Sequence, residues 1–439
     1  MTGTGLIIAA PSSGSGKTVF TLGLLRALAD RGIDAAAAKV GPDYIDPAFL
    51  MAASRGPCPN LDSWAMRPAT LAARVTQSSA HTLTICEGVM GLFDGAPALA
   101  GESSGSTAEI AALTGWPVIL LIDAMRQSGS AAATLRGFAS HHPDVHVVGA
   151  VFNRVSGPNH RALIEEACTA AMPAIPLLGW LPRDPALMLP ERHLGLVQAR
   201  ETHDIESRIA YAAKIVGDHI DIDALIRLAQ PARIEPAPSI APIPPLGQRI
   251  AIARDDAFAF AYPETLMGWR DAGAALSFFS PLADEAPAMD SDAVYLPGGY
   301  PELHAGVLAN NARFLDGLRA SAERSAAILG ECGGAMTLGA TLEDADGETH
   351  TMANLLPLAT SFKTRRLHLG YRRCTLAADS PLGPAGARFR AHEFHYATET
   401  QTGGPSLFAV ADARGRDLGP MGQVQGRVMG SFMHLIDAA

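Results

Sequence analysis

Two short segments hold residue types whose order can do chemistry. The first is Pro11-Ser12-Ser13-Gly14-Ser15-Gly16-Lys17-Thr18, between an apolar run at 6–10 and a helix-like stretch. Glycines let backbone N–H groups wrap a phosphate, and a helix N-terminus adds positive potential. Such a loop predicts Ser13, Gly14, Ser15 and Gly16 around the phosphates of ATP, Lys17 on the β- and γ-phosphates, and Thr18 on Mg²⁺. The strict pattern has a glycine seven residues before the final threonine, where this chain has Pro11. The second segment, Ala327-Ile328-Leu329-Gly330-Glu331-Cys332-Gly333-Gly334-Ala335, reads as strand, sharp turn and helix around a central cysteine. Flanking glycines permit a strained turn. A following helix N-terminus is expected to lower the thiol pKa and make Cys332 a nucleophile.

Each segment needs partners. For the phosphate loop these are carboxylates. Glu87 ends the run 82–87, at the sheet edge where α/β sheets bind ligands. Asp43 and Asp46 follow a second run, in Lys39-Val40-Gly41-Pro42-Asp43-Tyr44-Ile45-Asp46-Pro47. An Asp before Pro serves equally as a helix N-cap, Glu87 as a capped loop entry, and Asp94 as a turn residue. The cysteine needs a base, and His434 is the candidate, after a small-residue run near the end of the second domain. His392 and His395 compete; strand alternation puts His392 and Phe394 on one face, Glu393 and His395 on the other. Gly299, in Leu296-Pro297-Gly298-Gly299-Tyr300-Pro301, and Gly333 are the expected oxyanion donors.

The elements that must position these groups alternate. Candidate strands at 6–10, 35–39, 81–87, 117–123, 145–153 and 177–181 are separated by helical patterns at 17–30, 107–114, 128–139 and 159–170. The run 118–122 is apolar on both faces, as a central parallel strand requires. Strand–helix alternation predicts an α/β doubly wound parallel sheet. A smaller repeat follows, with strands at 249–253, 275–279, 293–296 and 327–330 and helices at 264–271 and 311–323. Beyond about 340 the pattern turns to β and loop, with strand-like stretches at 388–398 and 407–411. A proline-rich linker at 231–247 divides a P-loop domain, 1–230, from a second α/β domain, 248–439.

Composition narrows the function. The net charge of −10 argues against a nucleic-acid surface. No apolar run approaches the ~20 residues of a membrane span, and the run at 6–10 is too short for a signal-peptide core, so a cytoplasmic protein is expected. The five cysteines are scattered, without metal-ligand spacing. Lysine occurs only at 17, 39, 214 and 363, so a lysine here reads as a point charge that arginine cannot replace.

The motifs PSSGSGKT (11–18), KVGPDYIDP (39–47), EGVMGLFDG (87–95), GSTAEIA (105–111), LPGGYPE (296–302), GECGG (330–334), HEFHY (392–396) and FMH (432–434) occur in one order. In that order the chain resembles the a,c-diamide synthases of the corrin (vitamin B12) pathway over essentially its full length. The N-terminal half is similar to their dethiobiotin-synthetase-like ATPase domain, the C-terminal half to a cobyrinate-type class I glutamine amidotransferase. The resemblance implies Cys332 as nucleophile and His434 as its base. It makes Thr18, Asp46 and Glu87 the Mg²⁺ ligands and Asn153 the reader of adenine. It places Lys39, Asp43 and Tyr44 at the acceptor and phosphate site. The class usually has a Glu two residues after the catalytic His; Ile436 stands there, which leaves the orienter of His434 open. The implied reaction is ATP- and glutamine-dependent amidation of the a- and c-acetates of hydrogenobyrinate or cobyrinate through an acyl phosphate, and the implied assembly a homodimer. The segment 57–68 is closer to the hydrogenobyrinate branch. One alternative is a cobyric acid synthase, which amidates other corrin side chains; the GPDYIDP stretch favours the a,c-diamide group. Another is a regulatory or partitioning ATPase with an inactive glutaminase-like tail, against which GECGG and His434 argue.

Overall fold

The alternation of apolar runs and helical stretches resolves into two parallel sheets, one in each of two units. The structure, a computed structural model, describes residues 3–188, 191–192, 195–196 and 204–439. The first unit comprises Met1–Trp64, Leu71–Ala96 and Gly101–Pro238, the second Ala65–Thr70, Pro97–Ala100 and Ser239–Ala439. Half of the proline-rich stretch therefore stays with the first unit, where Gln230–Pro231 pairs antiparallel with Thr4 and Gly5. Among the described residues, no helix is long and apolar enough to cross a membrane.

In the first unit the strands are β1 (Thr4–Ala9), β2 (Ala35–Val40), β3 (Asn60–Leu61), β4 (Leu83–Glu87), β5 (Val118–Asp123), β6 (Val147–Val155) and β7 (Leu177–Pro182). They run parallel in the order β3-β2-β4-β1-β5-β6-β7. Residues 118–122 of β5 are all fully buried, as expected of a strand covered on both faces. β1 leads into the phosphate loop and then α1 (Lys17–Asp30). The turn depends on Gly16, at φ 93°, where a Cβ would lie 2.3 Å from the Asn153 amide nitrogen. β2 leads into α2 (Asp46–Ser54).

In the second unit β8 (Arg249–Ala253), β9 (Ala275–Phe279), β10 (Ala293–Leu296), β11 (Ala327–Glu331) and β14 (Val428–Ser431) form a parallel sheet, ordered β9-β8-β10-β11-β14. Alternation along these strands splits the core in two. Ala251, Val294 and Ile328 face a layer with Phe314, Leu318 and Met336. Ile250, Ile252, Tyr295 and Leu329 face the other side. There they meet Phe389, Phe408, Met433 and Leu435 of an antiparallel sheet. That sheet runs Asp417–Met421, Phe408–Asp412, β12 (His368–Leu376), β13 (Arg388–His395), β15 (Met433–Ala438). The chain crosses from β14 in one sheet to β15 in the other through Phe432. Asp437 of β15 is fully buried and is held by Arg67, through the backbone N–H at 2.7 Å and the guanidinium at 2.7 and 3.1 Å.

Two alanine substitutions separate tight from open glycines. A Cβ at Gly334 would lie 2.0 Å from the Leu296 carbonyl oxygen, so Gly334→Ala is expected to destabilise the second unit by roughly 1–3 kcal/mol or more. Gly137, in the helix Ala131–Ser140, has nothing within 4 Å of its would-be Cβ, and Gly137→Ala is expected to stabilise by about 0.5–1 kcal/mol. Denaturant unfolding of each variant measures both.

Candidate functional site

The C-terminal ends of β1, β2, β4 and β6 surround a cavity of about 800 Å³ in the first unit. Its lining includes Ser13, Gly14, Gly16, Lys17, Thr18, Lys39, Asp43, Asp46, Glu87 and Asn153. Ser15 and Tyr44 are buried and are not among the lining residues; the Ser15 hydroxyl turns back to donate to the Ser12 carbonyl at 2.9 Å. Lys17 Nζ donates to the Met90 carbonyl at 2.5 Å, and Met90 holds a positive φ of 49° to present it. Burial pulls Lys17 down to about 8, with the Glu87 carboxylate acting the other way.

Charge is concentrated at the floor of this cavity. Lys39 Nζ donates to Glu87 at 2.5 Å and Asp46 at 2.6 Å, and the Thr18 hydroxyl donates to Glu87 at 3.0 Å. Burial opposes the charge on Lys39, but Asp46, Glu87 and Asp43 outweigh it and hold the ammonium well above the usual lysine range. Burial pushes Glu87 up, against the pull of Lys39. Burial, then repulsion from Asp46, pushes Asp43 up to about 7. Asp43 accepts the backbone N–H groups of Ile45 and Asp46 at 2.8 and 3.0 Å. The loop-capping role thus falls to Asp43, while the Asp46 carboxylate is turned to Lys39. Asn60 braces the same loop from β3, donating to the carbonyls of Gly41 and Asp43 at 2.8 and 2.7 Å. Asp94 is a turn residue, accepting the Gly91 N–H at 2.9 Å.

Asn153 lies against the phosphate loop. Its amide donates to the Ser15 carbonyl at 2.8 Å, and its oxygen accepts the Arg154 N–H at 2.9 Å. Arg154 is a cavity residue that the sequence did not single out. It sits at φ 59° and ties Asp123 (2.6 Å) to the Gly14 carbonyl (3.0 Å). An arginine directly after Asn153 was the available signal.

The second site is in the other unit. Cys332 follows β11 at φ 47°, ψ −108°, the sharp turn its flanking glycines predict. The following helix, Gly333–Leu338, is a single short turn and a half, and its effect on the thiol is outweighed. Burial pushes Cys332 up, the Glu302, Glu331 and Glu393 carboxylates add to that, and the Gly333 N–H only partly offsets it. The expected lowering of the thiol pKa is therefore corrected: the loss of hydration exceeds what one helix end supplies.

His434 shares this site. The position that a Cβ on Gly298 would take lies 2.4 Å from His434 Cε1, 3.2 Å from its Nε2 and 3.3 Å from Cys332 Cβ. The missing side chain is what leaves room for thiol and ring together. Gly298 and Gly299 are adjacent in the sequence, and nothing there distinguishes the role of one from that of the other. A Cβ on Gly333 would lie 3.1 Å from the Gly299 nitrogen, so the two expected oxyanion donors are neighbours. His434 is fully buried, and burial, then the charges of His392 and His395, hold it down to about 3. Near neutral pH the resting pair is thus a thiol and a neutral imidazole able to accept its proton.

The competing histidines are used otherwise. Alternation on β13 holds: Glu393 and His395 face inward. Glu393 accepts Arg372 at 2.6 Å and lies 3.0 Å from His395 Nε2, while His395 Nδ1 lies 3.0 Å from the Ala397 carbonyl. The His395 ring is stacked between His368 and Phe432, with centroids at 4.6 and 3.9 Å. His392 lies opposite His434 across β13 and β15, and burial lowers it to about 4.

Residues 6–197 match the family model described as the CobQ/CobB/MinD/ParA nucleotide binding domain, and residues 249–439 that of the CobB/CobQ-like glutamine amidotransferase domain. The chain is 53% identical to "Hydrogenobyrinate a,c-diamide synthase" of Brucella abortus, over 99% of this chain and 98% of that protein. It is 52% identical to the like-named protein of a Sinorhizobium species, over 99% of each. It is 49% identical to that of Mesorhizobium japonicum, over 100% of each.

Two outcomes are expected from the thiol site. Gly298→Ala places a methyl group against the His434 ring, and glutamate release from glutamine should fall by about 10²-fold while circular dichroism is unchanged. Alkylation of Cys332 in the free protein should accelerate about tenfold per pH unit from pH 7 to 9 without a plateau, because the raised thiol is still protonated there.

Proposed function

This chain belongs to the hydrogenobyrinate a,c-diamide synthase family, a nucleotide-binding domain joined to a glutamine amidotransferase domain, and from that premise we propose which of its residues perform the reaction. It is a glutamine-dependent, amide-forming ligase of cobalamin synthesis. The observation that carries the assignment of roles is the meeting of Cys332 and His434 at the gap of Gly298.

In the glutaminase half, Cys332 Sγ attacks the side-chain amide carbon of glutamine as His434 takes the thiol proton. The N–H groups of Gly299 and Gly333 hold the oxyanion. His434 returns the proton to the leaving nitrogen, ammonia departs, and a thioester remains. Water, deprotonated by His434, then releases glutamate and restores the thiol.

In the nucleotide-binding half, the cavity takes ATP. A carboxylate of the acceptor attacks the γ-phosphorus, ADP leaves, and an acyl phosphate forms. Ammonia attacks its carbonyl carbon, loses a proton, and expels phosphate to leave the amide. Catalysis at the phosphorus is mainly positioning and charge neutralisation by Lys17 and Lys39. The residues also fit Mg²⁺: Glu87 Oε2 is buried without a hydrogen-bond partner, beside the Thr18 hydroxyl and within one lysine of Asp46. Thr18, Asp46 and Glu87 would hold that ion, which neutralises phosphate charge when bound. Asn153 lines the same cavity, which supports its reading as the contact to adenine. The names of the relatives support metal-free hydrogenobyrinate as the acceptor, amidated on its a- and c-acetates.

Mass spectrometry of hydrogenobyrinate and cobyrinate after incubation with ATP and glutamine tests this reading. The expected product is hydrogenobyrinate carrying two new amides. Cys332→Ala should lose glutamine-driven amidation and keep ammonia-driven amidation. Lys17→Ala should lose amidation with either nitrogen source. A Cys332→Ala protein still driven by glutamine would refute the assignment.

A further inference from the structure

Ile436 occupies the place of the carboxylate that usually orients the base, so something else must fix His434. Burial of a fully enclosed imidazole does not by itself set its position; the strand that carries it must be held. β15 is the last strand of its sheet, paired among the described residues only with β13. Backbone N–H groups on its other edge have no ladder partner, and a buried one requires an acceptor. Leu435 is in this situation, next to His434, and its N–H donates to Glu331 Oε1 at 3.2 Å. Glu331 is the residue before Cys332 and is 1% exposed. Its other oxygen, Oε2, accepts the Tyr295 hydroxyl at 2.8 Å, so both oxygens are engaged and the side chain has one orientation.

A second bond joins the same two segments. The Cys332 N–H donates to the Ser431 carbonyl at 2.8 Å. Ser431 and Leu435 bracket His434 in sequence, while Glu331 and Cys332 are adjacent. The nucleophile's turn thus holds the chain at one point before His434, the end of β14, and at one point after it, in β15. We propose that Glu331 is the positioning residue of the Cys332–His434 pair, acting through the Leu435 N–H and in turn oriented by Tyr295. Glu393, another buried carboxylate near the thiol, is already bound to Arg372 and His395.

The required property of Glu331 is an acceptor oxygen rather than a charge. Burial pushes its carboxyl up to about 7, and Oε1 accepts an N–H in either protonation state. Glutamine keeps such an oxygen, and its NH₂ can donate to the Tyr295 oxygen. Methionine has similar length and fills the space without accepting the N–H.

The inference rests on the glutaminase reading of Cys332 and His434. The test measures glutamine hydrolysis and ammonia-driven amidation in wild type, Glu331→Gln, Glu331→Met and Tyr295→Phe. Glu331→Met should lose about 10²-fold in kcat for glutamine hydrolysis, with KM for glutamine little changed and ammonia-driven amidation intact. Glu331→Gln should restore kcat to within about threefold of wild type, and Tyr295→Phe should show the same kcat-only loss at about tenfold. If Glu331→Met is insoluble, Tyr295→Phe and Glu331→Gln decide. Full hydrolysis in Glu331→Met or Tyr295→Phe would overturn the proposal, as would equal losses in the Gln and Met variants. A wild type that hydrolyses no glutamine would overturn the glutaminase reading itself, and this inference with it.

Discussion

The glutaminase half is organised around the absence of one side chain. Cys332 comes from the parallel sheet and His434 from the antiparallel sheet packed on it, and interiors are normally filled to crystal-like density. Two reactive groups can meet in such an interior only where something else is missing. Here it is the Cβ of residue 298. The same tightness excludes water, which sets the protonation of both groups. Burial disfavours both the thiolate of Cys332 and the imidazolium of His434. In a site of low polarity, hydrogen bonds from backbone donors such as those proposed at Gly299 and Gly333 are stronger than they would be in water.

The nucleotide-binding half solves a different problem, charge rather than space. Lys39 and Glu87 lie near the C-terminal ends of β2 and β4, and Asp46 begins α2; the three meet in one buried ion cluster. A buried ammonium with two carboxylates loses much hydration, and its net contribution to stability is small. What it secures is a fixed arrangement of charges at the floor of the cavity. The Lys39 ammonium holds the two carboxylates together and leaves one oxygen of Glu87 unbonded. Asn60, from a strand of two residues, braces the loop that carries Asp43.

Much of this was legible in the sequence where the determinants are local. The strands at 249–253, 275–279 and 293–296 and the helix at 17–30 have the boundaries that apolar runs and glycine turns predict. The thiol turn and the phosphate loop were readable because each is one contiguous segment with its own conformational demand. β3 was not readable, because two residues carry no periodicity and pair only where β2 offers an edge. The strand at 433–438 was not readable either. It changes sheets at Phe432 and is defined by its partners, β13 and Glu331, which are distant in sequence. The effect of burial on Cys332 was missed for the same reason: a motif specifies a turn, and the layers packed over it determine hydration.

The contact between Arg67 and Asp437 bears on how such a protein can be divided. The second unit takes residues 65–70 from the N-terminal half of the chain, and Arg67 satisfies a carboxylate with no exposure to water, three residues after His434. Severing the chain at the prolines would leave that carboxylate buried without its donors, a strongly unfavourable state. The two halves are interleaved in sequence rather than strung end to end. A gene fission at that boundary would produce a glutaminase fragment lacking part of itself, so duplication and exchange of whole modules is open to this architecture only if the short insert travels with its strand.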